Sequence, residues 1–394
     1  MQNLRINPGL LPETIHIPSS KSYANRALIL SALKPGKMTL HHLPKASDVT
    51  FLIDGLRQIG LQIDCLSETA VISNSFPHCE RSQGNEIFVG EGGTTARFLA
   101  SLLSLGHAPY TLILGNRLKE RPWNEFISTI KKLGGKSHLV ENRLFIQGPV
   151  QFPETLEIDC SETTQFASGF QLASAFSNIV ITPKNLVSSI SYWNMTQEMV
   201  HYFKSKNEYD VPMDWSSASY PLVFGAIKQE INFPGLKPDV FQADSKLFDI
   251  LKSINAIEET NNGIKTIPTQ FQGDLELDAA DCLDLVPALI FLLSHIPGKH
   301  KIKNLANLVF KESDRLTELM KLMKTFGRKF LQEGSALTIF GDKSSALDEV
   351  ALTLPDDHRM VMTASLFLRS GQGGWVGPVR AVEKSYSHFF EFFD

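Results

Sequence analysis

Cations recur in this sequence where helix physics disfavours them. The stretch IPSSKSYANRAL, residues 17–28, runs from a proline and serines into helix-forming sequence and sets Lys21 and Arg26 in its first turns, beside Ser19, Ser20 and Ser22. A helix N-terminus carries partial positive charge, so cations there are unfavourable unless an anion joins them. The theme returns along the chain. KERPW carries Lys119, Glu120 and Arg121; FKESDRL carries Lys311, Glu312, Asp314 and Arg315; LPDDHRM carries Asp357, His358 and Arg359; VEKSYSHFF carries Lys384. DAADCLDLVP sets Asp278, Asp281 and Asp284 ahead of an apolar run, and CSETTQF opens another with Ser161, Thr163, Thr164 and Gln165.

A small anion answers the puzzle of the misplaced cations. Backbone N–H groups at a helix start, hydroxyls, and ammonium or guanidinium groups can converge on one carboxylate or phosphate. In VGEGGTTARFL, Gly92 and Gly93 let the backbone come close to such a ligand ahead of a helix starting near Thr94. No GxxxxGK[ST] loop occurs, so this is not a Walker site. Each cluster alone has an ordinary explanation, in capping or a solvated charged face. Repetition at one strand-to-helix junction after another argues instead for a crevice holding a small, multiply anionic substrate pair.

The elements that must position these groups are legible as a repeat. Amphipathic helix, glycine, strand, turn and strand follow one another in FLIDGLRQIGLQIDCLSETAVIS, and again in FISTIKKLGGKSHLVENRLFIQGP. FDILKSINAIEETNNGIKTIP and LMKLMKTFGRKFLQEGSALTIFG continue the series. VENRL, TNNGI and EGSAL have hairpin-turn chemistry. Gly60, Gly134 and Gly327 suit helix C-caps, with Asn255 in that place in the third copy. Pro122 suits the first position of a helix, and VPMDWSSASYP near residue 213 has the polar look of a crossover between units.

Composition narrows the function. With 394 residues, 43% hydrophobic, the chain can fill two or three domain cores. A formal net charge of −4 gives no bulk attraction for nucleic acid or anionic membrane. Cys65, Cys79, Cys160 and Cys282 form no CxxC and read as buried, reduced thiols. The opening MQNLRINPGLLPETIHIP lacks an apolar signal core, and LVPALIFLLSHIPG is too short to span a bilayer, so a soluble cytoplasmic protein is expected.

In the order SKSYANRAL, GEGGTTARFL, KERP, TTQF, DWSSASYP, FKESDRL, DDHRMVM and EKSYSHF, the chain closely resembles the 5-enolpyruvylshikimate-3-phosphate synthase family. These are the carboxyvinyl transferases of the shikimate pathway. KESDRL and DHRM are the most specific matches. The resemblance implies an α/β fold of two similar pseudo-threefold domains, of the inside-out α/β barrel type. Each would hold three βαβαββ-like units, with a hinge and an interdomain cleft. Residues 1–19 and 213–394 would form a discontinuous domain carrying the base and the arginines for phosphoenolpyruvate, and residues 20–212 a domain carrying most shikimate 3-phosphate contacts.

The resemblance also implies roles. Lys21 would touch both substrates; Ser22, Arg26, Thr163, Thr164, Ser189, Asn307 and Lys311 would hold shikimate 3-phosphate. Gly93, Arg121, Arg315, Arg359 and Lys384 would surround phosphoenolpyruvate, with Gln165 between the two ligands. Asp284, in contact with shikimate 3-phosphate, would be the base for its 5-hydroxyl, and Glu312, with Lys21, would protonate the methylene carbon. No metal or organic cofactor, a monomeric state and inhibition by glyphosate are implied as well.

Several positions depart from the family's common pattern. Glu91 stands for asparagine, Gly92 for alanine, Thr163 and Thr164 for a serine-rich pair, and Val309 for arginine. Glu91 would repel phosphoenolpyruvate unless a cation such as Arg97 or Lys119 neutralises it. Two other readings therefore remain: a catalytically weakened relative that only binds anions, and a transferase acting on UDP-N-acetylglucosamine. SKS in the first motif and the lack of a cysteine near ERPW disfavour the latter.

Overall fold

The structure, a computed structural model, describes residues 3–80, 86–342 and 349–393. Its contacts divide the chain into two compact units, Ser19–Pro212 and Met1–Pro18 with Met213–Asp394.

In the unit spanning 19–212, three helices form the interior: Lys21–Leu33, Gly93–Leu103 and Gln165–Ala173. The first is buried without a break from Tyr23 to Ala32, Asn25, Arg26 and Ser31 included. A helix with no solvent face has no amphipathic period to display, which is why its burial is not legible from spacing. Sheets pack around this interior. In one, Glu86–Phe88 runs parallel to Pro109–Ile113, which pairs antiparallel with Arg143–Gln147, whose other neighbour is the hairpin strand Lys136–Val140. In chain order this is strand, buried helix, strand, amphipathic helix Asn124–Lys132, and hairpin. A second sheet has the same topology, but its parallel outer strand, Glu208–Asp210, comes from the far end of the unit to join Met38–His41. The third keeps only the parallel pair Thr155–Asp159 and Val180–Lys184.

The other unit repeats the scheme around Trp215–Lys228, Val286–His295 and His358–Ser370. Its complete copy runs from Glu276–Asp278, parallel to Gly298–Lys303, to the hairpin Lys329–Glu333 and Ala336–Gly341. The N-terminal segment finishes the other two sheets: Leu4–Ile6 pairs with Gly374–Gly377, and Thr14 bridges Asn232 in parallel.

Local chemistry sets the joints. Gly60, Gly134, Gly327 and Asn255 all take positive φ just past helix ends (109°, 84°, 64° and 52°), a conformation glycine and asparagine tolerate best. Other expectations are corrected. Cys65 is exposed, and only Cys160 and Cys282 are buried; all four are free thiols. Pro122 lies outside its helix, which starts at Asn124 behind the cap Trp123. The division between units at Pro212 and Met213 agrees with the crossover expected there, and the WSSASYP that follows is helical: Asp214 accepts a hydrogen bond from the Ser217 N–H at 2.9 Å and caps a buried helix.

Candidate active site

Apart from Lys21–Leu33, each buried helix starts a short connection after a strand. In the 19–212 unit those starts are tied together by side chains. Lys21 Nζ pairs with Asp48 Oδ2 at 2.8 Å, and the Thr95 hydroxyl donates to the Asp48 carbonyl at 2.8 Å. Asn25 Nδ2 donates to Thr94 Oγ1 at 2.9 Å. Lys21, the cation at the start of the first buried helix, is therefore offset by a carboxylate.

Gly93 opens its helix against the side chains of Gln165 and Arg121. A methyl there would lie 2.8 Å from Gln165 Oε1 and 2.9 Å from Arg121 Nη1. Arg121 Nε and Nη1 are buried and have no hydrogen-bond partner among the described residues. Buried guanidinium donors without acceptors carry a full desolvation penalty, so they mark a place where an anion fits.

Two other arginines bond protein groups. Arg26 donates from Nε to Thr196 Oγ1 at 2.8 Å, and from its Nη atoms to the Ser22 and Tyr192 carbonyls. Its burial lowers the guanidinium to about 10, opposed by the nearby tyrosines. Arg97, given no binding role from the sequence, donates to Gln165 Oε1 at 2.7 Å, to Thr163 Oγ1 at 3.5 Å and to the Pro122 carbonyl at 3.0 Å. It lies over the Phe166 ring at 4.8 Å and so orients Gln165 and Thr163. Thr164 is the buried cap of that helix, and Ser189 caps Ile190–Phe203 with a positive φ of 58°.

The unit containing 213–394 gathers the other charged motifs. Asp284 Oδ1 lies 2.7 Å from Arg315 Nη1 and 3.2 Å from Lys311 Nζ, and its Oδ2 lies 3.4 Å from Arg359 Nη2. Burial alone would raise the Asp284 carboxyl, but Arg359, Lys311 and Arg315 hold it well below the usual carboxylate range. Arg315 also bonds Glu312, so one guanidinium joins both carboxylates. Lys384 Nζ donates to the Asp356 carbonyl at 2.6 Å. Asn307 and Val309 lie on the short 3-10 turn Ala306–Phe310 that leads to Lys311, Val309 on its exposed side.

Asp357 and Asp244 escaped the sequence reading as anchors. Asp357, wholly buried, accepts from Arg315, from the Ser313 hydroxyl and from the Arg359 N–H. Asp244 accepts from the Ser216 hydroxyl and sits 4.0 Å from Arg359. Burial pushes its carboxyl up to about 7 against the pull of Arg359, with Asp284 adding to the rise. A lone aspartate in QAD carries no signal that its side chain faces an arginine 115 residues away.

A family model for EPSP synthase (3-phosphoshikimate 1-carboxyvinyltransferase) matches residues 7–206 and 201–393. The chain belongs to the EPSP synthase family. A relative named 3-phosphoshikimate 1-carboxyvinyltransferase, from Photobacterium damsela subsp. piscicida, is 27% identical, the match covering 99% of this chain and 98% of the relative. Among solved structures, EPSP synthase from Acinetobacter baumannii superposes with a TM-score of 0.78 at 20% identity, covering 100% of this chain and 97% of that one. The enolpyruvyl transferase NikO from Streptomyces tendae gives 0.75 at 13% identity, covering 99% and 96%. The two-domain α/β fold is thus that of EPSP synthases.

Glu91, whose charge suggested pairing with a cation such as Arg97 or Lys119, finds other partners among the described residues. Its carboxylate accepts backbone N–H groups, from Leu118 at 2.9 Å and Arg117 at 3.4 Å.

Proposed function

We propose that this chain transfers the carboxyvinyl group of phosphoenolpyruvate to the 5-hydroxyl of shikimate 3-phosphate and releases phosphate. The family match over the whole chain supports the reaction. The observation that carries the assignment of roles is the Asp284–Arg315–Glu312 arrangement, two carboxylates bridged by one guanidinium in one unit.

In this reading Lys21, Gly93, Arg121, Gln165, Arg315, Arg359 and Lys384 hold phosphoenolpyruvate. Ser22, Arg26, Thr163, Thr164 and Ser189 hold shikimate 3-phosphate, joined by Asn307 and Lys311. Fixing two anionic reactants in line can remove roughly 7–11 kcal/mol of the barrier. As the substrates' anions take over Arg315, Arg359 and Lys311, Asp284 loses the cations that depress its basicity. It then accepts the 5-hydroxyl proton while that oxygen bonds to C2 of phosphoenolpyruvate. Glu312, with Lys21, delivers a proton to C3, giving a tetrahedral intermediate. Elimination breaks the C2–O bond to phosphate, and a proton leaves C3 to restore the double bond.

The test is phosphate release from phosphoenolpyruvate with shikimate 3-phosphate as acceptor, and with UDP-N-acetylglucosamine in a parallel reaction. Turnover with the first alone is expected. Turnover with the second alone would overturn the acceptor assignment, and none with either would leave an anion-binding relative. We further propose a cytoplasmic monomer, checked by light scattering and fractionation, and inhibition by glyphosate in competition with phosphoenolpyruvate. Among the described residues no helix is long and apolar enough to cross a membrane.

A further inference from the structure

Glu91 occupies the turn between Glu86–Phe88 and the Gly93–Leu103 helix. Beside it runs the segment from Gly115 to Arg121, whose 3-10 turn Leu118–Glu120 ends at Arg121. The two segments meet twice. At one end, Glu91 Oε2 accepts the Leu118 N–H and Oε1 the Arg117 N–H. At the other, two residues along, Gly93 lies against the Arg121 guanidinium. The Gly115 N–H donates to the Gly90 carbonyl at 2.8 Å, adding a backbone link. The fit over Gly115 is close: a Cβ there would lie 2.3 Å from Glu91 Cδ and 2.4 Å from Oε1, so only glycine lets the carboxylate lie across the loop.

The first N–H groups of a helical turn have no partner within it, and a carboxylate is a strong acceptor for them. Nothing else on the turn could satisfy two neighbouring N–H groups at once. An asparagine offers one acceptor oxygen and a shorter reach.

We propose that Glu91 is a positioning residue that clasps the Arg117–Leu118 backbone and thereby holds Arg121 at the phosphoenolpyruvate site. The inference rests on the reading of Arg121 given above. The carboxylate that looked like a liability for anion binding is then spent on backbone donors and promotes binding through the loop.

The sign of one measurement separates clasp from repulsion. Glu91→Gln keeps the shape but leaves one N–H facing an amide; Glu91→Ala removes both acceptors. The clasp requires the KM for phosphoenolpyruvate to rise several-fold in Glu91→Gln and about tenfold or more in Glu91→Ala. The KM for shikimate 3-phosphate should change less than about twofold, and exchange of the Arg117 and Leu118 amide hydrogens should speed up in both variants. A lower KM for phosphoenolpyruvate in Glu91→Gln, no change, or an equal rise for both substrates would overturn the proposal, as would unchanged amide exchange. If the unmodified enzyme turns over neither acceptor while the exchange result holds, the functional reading fails and the clasp stands as a loop anchor without the substrate role claimed here.

Discussion

Arg315 and Asp357 form a two-point ion pair that water does not reach, with Nε–Oδ2 at 2.8 Å and Nη2–Oδ1 at 3.2 Å, and side chains 1% and 0% exposed. The same carboxylate receives the Arg359 N–H at 3.0 Å and the Ser313 hydroxyl at 2.9 Å. One buried aspartate therefore sets the position of both arginines proposed to meet phosphoenolpyruvate. Removing one partner of such a pair strands the other charge, which costs about 3–5 kcal/mol. Asp357→Ala should lower the melting temperature by roughly 10 °C, and surviving folded protein should bind phosphoenolpyruvate far more weakly. Calorimetry and titration with phosphoenolpyruvate check both. A stability loss with unchanged affinity would show that the arginines hold their places without Asp357.

Asp284 neutralises much of the charge that Lys311, Arg315 and Arg359 bring together. Asp284→Asn should cut kcat by about 10²–10⁴-fold, the usual loss of a general base. Phosphoenolpyruvate and inorganic phosphate alone should bind more tightly to the variant, because the three cations have less carboxylate to satisfy. Steady-state kinetics with calorimetric titration measure the two effects, and weaker anion binding would contradict the electrostatic argument.

Gly92 is pressed against Asp48: a methyl there would lie 2.6 Å from Cγ and 2.7 and 2.8 Å from the carboxylate oxygens. Since Asp48 holds Lys21, Gly92→Ala should displace Lys21. If Lys21 touches both substrates, both Michaelis constants should rise, by up to about tenfold. An unchanged pair of constants would mean that Asp48 moves aside without taking Lys21 with it.

His295 governs a pH window away from the chemistry. Its Nδ1 donates to the Phe291 carbonyl at 2.8 Å and its Nε2 accepts from Arg328 Nη2 at 3.1 Å, which fixes the neutral ring. Burial, with Arg328 nearby, brings the imidazole down to about 3. The unfolded chain binds this proton near pH 6.5 and the folded one near 3, so stability is complete above about 6.5 and falls as pH drops toward 3. By pH 4.5 the loss should reach about 2–3 kcal/mol. His295→Gln, which keeps a donor and an acceptor, should remove that slope; denaturant unfolding at pH 7 and 4.5 compares the two.

Local features were open to reading from the chain itself. Hairpin tips, the glycine and Asn255 caps, and the recurrence of charged groups before helices depend on neighbours within a few residues, where propensity and backbone geometry act directly. Residue types also disclosed the chemistry: many small clusters of cations and carboxylates in a chain of net charge −4 point to small anions. What stayed hidden was pairing. Arg97, though visible in GEGGTTARFL, turned out to brace Gln165 and Thr163, and Trp215–Lys228 looked polar because its serine hydroxyls donate to the Asp214 and Asp244 carboxylates and to the Ser216 carbonyl inside a core.

Taken alone, the amino-acid order determined the elements, their repeat and the kinds of charge available. Only the tertiary structure decided that Asp357 anchors Arg315, 42 positions away, and that Glu91 meets two backbone N–H groups. The reason is physical: which carboxylate satisfies which donor depends on burial and distance in space, and neither has a period along the chain.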